Sequence, residues 1–154
     1  MQINVNLVRR GLIFSALATM LPQAWGESTL TMAVWKGPSC GCCQDWISTI
    51  QTAGFKVIVH DTGNTDVRLK SGIPVELGSC HTAVIAGYAI EGHVPVREIK
   101  RLLSEKPDAV GLSVPGMPIG SPGMDGEAYG NQTQPYNVLL VKKNGIASVY
   151  QKYI

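Results

Sequence analysis

Beyond its first 26 residues the sequence has no surplus of charge with which to hold a polyanion. Of its 13 lysines and arginines, two, Arg9 and Arg10, lie within the first 26 residues, and the rest balance the 11 acids one for one. That balance excludes a basic nucleic-acid face and a polybasic membrane patch. Long apolar runs are also missing. The N-terminal "GLIFSALATML" falls short of the ~20 residues a spanning helix needs, and no later run approaches that length. No side chain stands out as a general acid or base for organic chemistry. Asp45, one turn into an expected helix, is where an acid ordinarily favours the helix dipole. Cysteine is scarce too, four in 154 residues, but three of the four fall within "SCGCC" at 39–43.

The N-terminus reads as an export signal. Arg9 and Arg10 precede the short apolar run, and Ala24-Trp25-Gly26 supplies a small-x-small cleavage site. Residues 1–26 are therefore expected to be a signal peptide and 27–154 a single domain, long enough for its own core. "RRGLI" resembles the twin-arginine motif, although two arginines also serve general secretion. After cleavage nothing ties the chain to a membrane, and an exported location, the periplasm, is expected.

The remaining pattern is mixed α/β. "TLTMAVW" (29–35) reads as a strand. Cys42 to Ala53 follows as a helix with Trp46, Ile47, Ile50 and Ala53 at 3–4 spacing, stopped by Gly54. "FKVIVHD" (55–61) is a second strand, and 65–71 a short helix. "HTAVIAGYAIEGH" (81–93) gives two strands about Ala86-Gly87. Pro95 to Lys106 is a helix with Val96, Ile99, Leu102 and Leu103 on one face. Residues 107–135 are rich in Gly and Pro and carry no helix or strand period. "YNVLLVKKNGIASVYQKYI" closes as a hairpin about Asn144-Gly145. The order implies a thioredoxin-like βαβ-ββα core, a long Gly/Pro/Met loop and a C-terminal β-hairpin. A loop of that length is functional or poorly ordered. Two copies of Pro-Gly-Met, at 115–117 and 122–124, favour a lid.

The cysteines admit three chemistries. A disulfide scaffold is disfavoured, because neighbouring Cα atoms lie about 3.8 Å apart whereas bridged ones prefer about 5.5–6 Å. Cys40 and Cys43 form C-x-x-C at a helix mouth after a strand, the setting of a thioredoxin-type redox pair. Cys42 between them is a third thiol that invites misbridging. A soft-metal site uses all three, since thiolates select Cu(I), zinc or iron–sulfur. Adjacent Cys42 and Cys43 suit two ions of a sulfur-bridged Cu(I) cluster better than one tetrahedral zinc. Cys80 is expected at the same helix mouth, just before the third strand, to complete the set. His93, in the Gly-Pro turn "EGHVP", and the loop thioether Met117 are further candidates, Met124 less so. His81 should alternate with Cys80 along a strand and point away. His60 reads as a surface residue, and Trp35 and Trp46 as walls that keep water from the sulfurs.

With "CGCC", "SCHTAV", "GYAIEGHVP", "IKRLL", "KPDAVGLSVPGMP" and "GSPGM" in fixed order, residues 30–125 resemble the CopG-type periplasmic proteins linked to copper resistance. The resemblance implies a thioredoxin-like fold with a cysteine-bridged copper cluster on Cys40, Cys42, Cys43 and Cys80, with His93 and Met117 as neighbours. It implies copper ions as the cargo, and other periplasmic copper-handling proteins as candidate partners. The hairpin after residue 135 gains nothing from it. Two functions stay open: a Cu(I)-binding resistance protein, and an oxidoreductase acting on copper or protein thiols through Cys40 and Cys43.

Overall fold

The computed structural model describes residues 30–154; the expected signal peptide lies outside them. Among the described residues, seven strands form one mixed sheet. β1 (Thr31–Lys36) runs into helix α1 (Gly41–Thr52) and returns as β2 (Lys56–His60), parallel to β1. After α2 (Thr65–Lys70) and a 3-10 turn (Val75–Leu77), β3 (His81–Ile85) lies antiparallel to β1. It turns into β4 (Tyr88–Glu91), followed by α3 (Val96–Glu105). This is the βαβ-ββα order expected from the sequence, and it gives the sheet order of a thioredoxin-like core. Helix bounds agree to within a residue or so, with Cys40 and Pro95 as N-cap residues of α1 and α3.

The 107–135 segment holds more structure than its composition implies. β5 (Gly111–Ser113) pairs parallel with β4, Ala89 opposite Gly111, so β4-α3-β5 is a second crossover unit. The hairpin β6 (Tyr136–Val141) and β7 (Ala147–Tyr153) then adds to β5 and extends the same sheet, whose order is β2-β1-β3-β4-β5-β6-β7. Three residues, one of them glycine, are too few to show a period of two, which is why the strand is invisible in the sequence. A further 3-10 turn, Glu127–Tyr129, lies later in the segment. The hairpin turn falls where expected, with Gly145 N–H bonded to the Lys142 carbonyl at 2.9 Å.

Strand alternation sorts the side chains. Met32 and Val34 of β1, Ala83 and Ile85 of β3 and Ile90 of β4 join Trp46, Ile47 and Ile50 of α1 and Ile99 and Leu102 of α3 in the main core. The other face carries a smaller cluster of Ile73, Ala89 and Val141, and also Thr82 and Glu91. Trp35 falls on that second face. It stacks on His60 at 4.6 Å between ring centroids and lines a cleft with Thr62, Thr65, Asp66, Val67 and Lys70. Trp35 is thus no wall for the sulfurs, because β1 alternation turns it away from α1. Trp46 takes that place, fully buried, its indole N–H on the Val94 carbonyl at 2.9 Å.

Candidate metal centre

Cys40 ends the loop after β1 and caps α1, so Cys42 and Cys43 fall on the first helical turn. Helix periodicity sends Cys43 inward, fully buried, and leaves Cys42 at the rim. Cys40 and Cys43 are joined by a disulfide, their Cα atoms 5.4 Å apart, while Cys42 and Cys80 are free thiols. The Cys40 and Cys42 sulfurs are 3.6 Å apart. Cys80 sits immediately before β3, as expected, and all four sulfurs lie within 4.8 Å of one another.

Cys80 also belongs to a second group, with His81 and His93. Its sulfur is 3.1 Å from His93 Nε2 and 3.3 Å from His81 Nδ1. His93 was expected here; His81 was expected to point away. Alternation holds only inside a strand, and β3 begins at His81. His81 therefore takes the α1 face with Ala83 and Ile85, and Cys80 reaches the same point from the irregular backbone before it. The His81 ring packs on Trp46 at 4.4 Å and edge-on to His93 at 5.0 Å.

The hydrogen bonds fix what each ring can offer. The Pro122 carbonyl, 2.9 Å from His93 Nδ1, can only accept, so Nδ1 carries the proton and Nε2 turns its lone pair toward Cys80. A backbone carbonyl behind one nitrogen and an open lone pair on the other is the usual arrangement of a ligating histidine. His81 Nε2 is buried with no hydrogen-bond partner among the described residues. The His81 nitrogen next to the thiol is the other one, Nδ1, and it is this atom that would face a soft ion shared with Cys80. Burial holds the His93 imidazole below its usual value. It pushes His81 from 6.5 down to about 3, with His93 adding to the effect. Burial, then the neighbouring Cys42, raises the Cys80 thiol to about 12. Both imidazoles are thus neutral donors at neutral pH.

These shifts carry a pH prediction for the metal-free protein. For each of the two imidazoles the folded-state pKa lies below the unfolded one, so the stabilisation is complete above about 6.5 and is lost as pH falls toward 3. His81 alone contributes about 1.4 kcal/mol per pH unit in that window. Urea unfolding at pH 7 and pH 5 measures it, and His81→Gln should flatten the dependence.

The Gly-Pro segment closes over the centre as a lid. Pro122 binds His93 from it, and Gly123 lies against the first turns of α1. A Cβ on Gly123 would stand 2.6 Å from the Trp46 nitrogen and 2.7 Å from the Cys42 carbonyl, and Gly123 also has φ +80. Only glycine permits this contact. Gly123→Ala should lift the lid and loosen His93, seen as faster solvent exchange of the His93 ring proton by NMR. The earlier Pro-Gly-Met copy sits beside Cys80: Gly116 N–H bonds the Gly78 carbonyl at 3.0 Å, and the Ser79 hydroxyl donates to the Gly116 carbonyl. Met117 follows Gly116 and is 51% exposed; Met124 is partly buried. His60 lies on the other face, against Trp35. Sequence reasoning missed the Pro122 carbonyl and His81. The "PGM" repeat was the available sign of the first, and nothing short of the strand start could give the second.

Residues 77–124 match the family model described as a protein of unknown function, DUF411. Comparison with curated proteins gives no match. Among solved structures, a copper resistance protein CopG, Form 2, is 42% identical and superposes with a TM-score of 0.75. The match covers 82% of this chain and 99% of that one. Form 1 is 43% identical at the same TM-score, over 81% and 98%. The chain belongs to the CopG family. The CopG structures correspond to the described domain almost end to end, whereas the family model spans the part from the 3-10 turn before Cys80 to Met124. That part contains Cys80, His81, His93 and both Pro-Gly-Met copies, and leaves out the C-x-C-C.

Proposed function

We propose that this protein binds copper as Cu(I) in a cysteine-bridged cluster and contributes to copper resistance in the periplasm. The observation that carries this reading is the convergence of four sulfurs within 4.8 Å, one of which, Cys80, is shared with two buried imidazoles. Thiolate and neutral imidazole are donors that Cu(I) accepts, and adjacent thiols can bridge ions. Similarity to copper resistance protein CopG supports copper as the cargo. Exchange with an external dithiol, which leaves as its own disulfide, breaks the Cys40–Cys43 bond and returns both thiols, so the full cluster belongs to the reduced protein. His93 and Met117 would complete the shell, the thioether at the rim where copper enters and leaves. The signal-like residues 1–26 support export, and sequencing the N-terminus of the protein from a periplasmic fraction tests it.

The test is copper stoichiometry of the reduced protein under anaerobic conditions. Several Cu(I) per chain are expected, with most lost in Cys42→Ser, although Cys40-x-x-Cys43 is intact there. Full retention in Cys42→Ser would overturn the cluster. For Met117→Ala, faster loss to a Cu(I) chelator is expected by stopped flow, with Met124→Ala closer to wild type. Equal rates for Met117→Ala and wild type would leave the loop methionines with a packing role only.

The Cys40–Cys43 disulfide favours a second reading, an oxidoreductase that passes electrons between this pair and copper or protein thiols. Protein purified without added metal separates the two. Bound copper supports the first reading; a metal-free protein whose disulfide is readily reduced by a dithiol supports the second.

A further inference from the structure

Behind the centre, on the opposite face of the sheet, lies a buried ion pair that no ligand role explains. Glu91 is fully buried, and the Arg68 guanidinium is largely so. Arg68 Nε donates to Glu91 Oε1 at 2.9 Å, and the Ser79 N–H donates to the same oxygen at 2.6 Å. The Thr82 hydroxyl donates to Glu91 Oε2 at 2.5 Å. Arg68 Nη2 reaches the Ser79 carbonyl at 2.9 Å, and the Asn64 amide donates both to that carbonyl, at 3.2 Å, and to Thr82 Oγ1, at 3.1 Å.

Both backbone groups of Ser79 are therefore held by this network, as is the side chain of Thr82. Cys80 and His81 are the two residues between them. Ser79 also holds the first Pro-Gly-Met loop through its hydroxyl and the Gly116 carbonyl. Gly92, at φ +70, makes the close approach possible: a Cβ there would stand 2.5 Å from Ser79 Cβ and 2.6 Å from the Val114 carbonyl. A buried ion pair is an expensive way to fill a core, and an apolar substitute of similar volume is often no less stable. What an apolar substitute cannot do is grip a peptide at both ends.

We infer that Arg68 and Glu91 are positioning residues: they set where the Cys80 sulfur and the 115–117 loop stand relative to the mouth of α1. The consequence for copper rests on the Cu(I) reading above. The placement of Cys80 does not, and is measured without metal.

Arg68→Lys is the discriminating variant. Lysine keeps the charge opposite Glu91 but cannot bridge Glu91 and the Ser79 carbonyl with two N–H groups in one plane. In a Cys42→Ser background with the Cys40–Cys43 bond intact, Cys80 is the remaining free thiol. At one fixed pH, its alkylation should be about tenfold faster with Arg68→Lys than without, while circular dichroism reports a folded chain. Asn64→Ala, which removes one donor from the same carbonyl, should give a smaller rise in the same direction and serves if Arg68→Lys does not fold. Glu91→Gln keeps an acceptor for the Ser79 N–H and should alkylate more slowly than Glu91→Ala. In the four-cysteine protein, Arg68→Lys should weaken Cu(I) retention against a chelator by 10- to 100-fold, the usual cost of losing an outer-shell partner. An unchanged alkylation rate in both Arg68→Lys and Asn64→Ala overturns the inference. A raised rate in a protein that holds no copper, wild type included, leaves the inference standing and overturns the copper reading instead.

Discussion

Cys80→Ser is expected to remove nearly all tightly held copper. Loss of an outer-shell partner costs 10- to 100-fold in affinity, and removal of a sulfur that serves both donor groups should exceed about 100-fold. Cys80 is the one residue common to the four-cysteine group and the Cys80–His81–His93 group. Its hydroxyl replacement is a poor Cu(I) ligand. The remaining three cysteines sit at one helix mouth, with no fourth thiol from another element. Competition with a Cu(I) chelator under anaerobic conditions measures the effect. The same variant separates the two functions, because Cys40 and Cys43 remain a bonded pair. Thiol exchange through that pair should persist in Cys80→Ser, whereas copper binding should not. Retention of copper at wild-type affinity would overturn the shared-sulfur site.

Trp46→Ala is expected to be the most destabilising of the simple truncations near the centre. Trp46 is fully buried in the main core, between α1 and β3. Deleting a buried indole costs about 3–5 kcal/mol through lost burial and the cavity left behind. The Val94 carbonyl would lose its 2.9 Å donor as well. For a domain of this size the fall in melting temperature should be roughly 10–20 °C. His81 would lose the ring it packs on and the wall that keeps water from Nε2. Trp46→Phe restores most of the packing without the hydrogen bond and should fall between the two. Thermal unfolding of the three proteins checks the order. A shift of only a few degrees in Trp46→Ala would mean that the core beneath the sulfurs collapses freely into the space.

The readable parts of the site are those governed by short-range rules. Cys40 at the mouth of α1 follows from a strand, a loop and a 3–4 apolar spacing, all local in the chain. The inward Cys43 and rimward Cys42 follow from the same helix period. Cys80 was legible because "HTAVIAGYAIEGH" reads as two strands, and a thioredoxin-like order sets the residues just before the third strand against the mouth of the first helix. His81 was misjudged for a related reason: alternation was extended one residue beyond the strand, into backbone that does not obey it.

The sequence by itself determined the α/β order, the crowding of three thiols at one helix mouth and the presence of soft donors elsewhere. Each is a matter of residue type and local period. Only the tertiary structure decided that β5 separates β4 from the hairpin and that His81 joins His93 on Cys80. Only it decided that Pro122 sets the proton on His93 and that Arg68 and Glu91 hold Ser79 from behind. The last two depend on contacts between residues 11 to 29 apart in the chain, several of them to backbone groups. Every residue carries the same peptide donor and acceptor, so no sequence pattern marks which carbonyl will be used. That choice is made when the sheet brings the segments together.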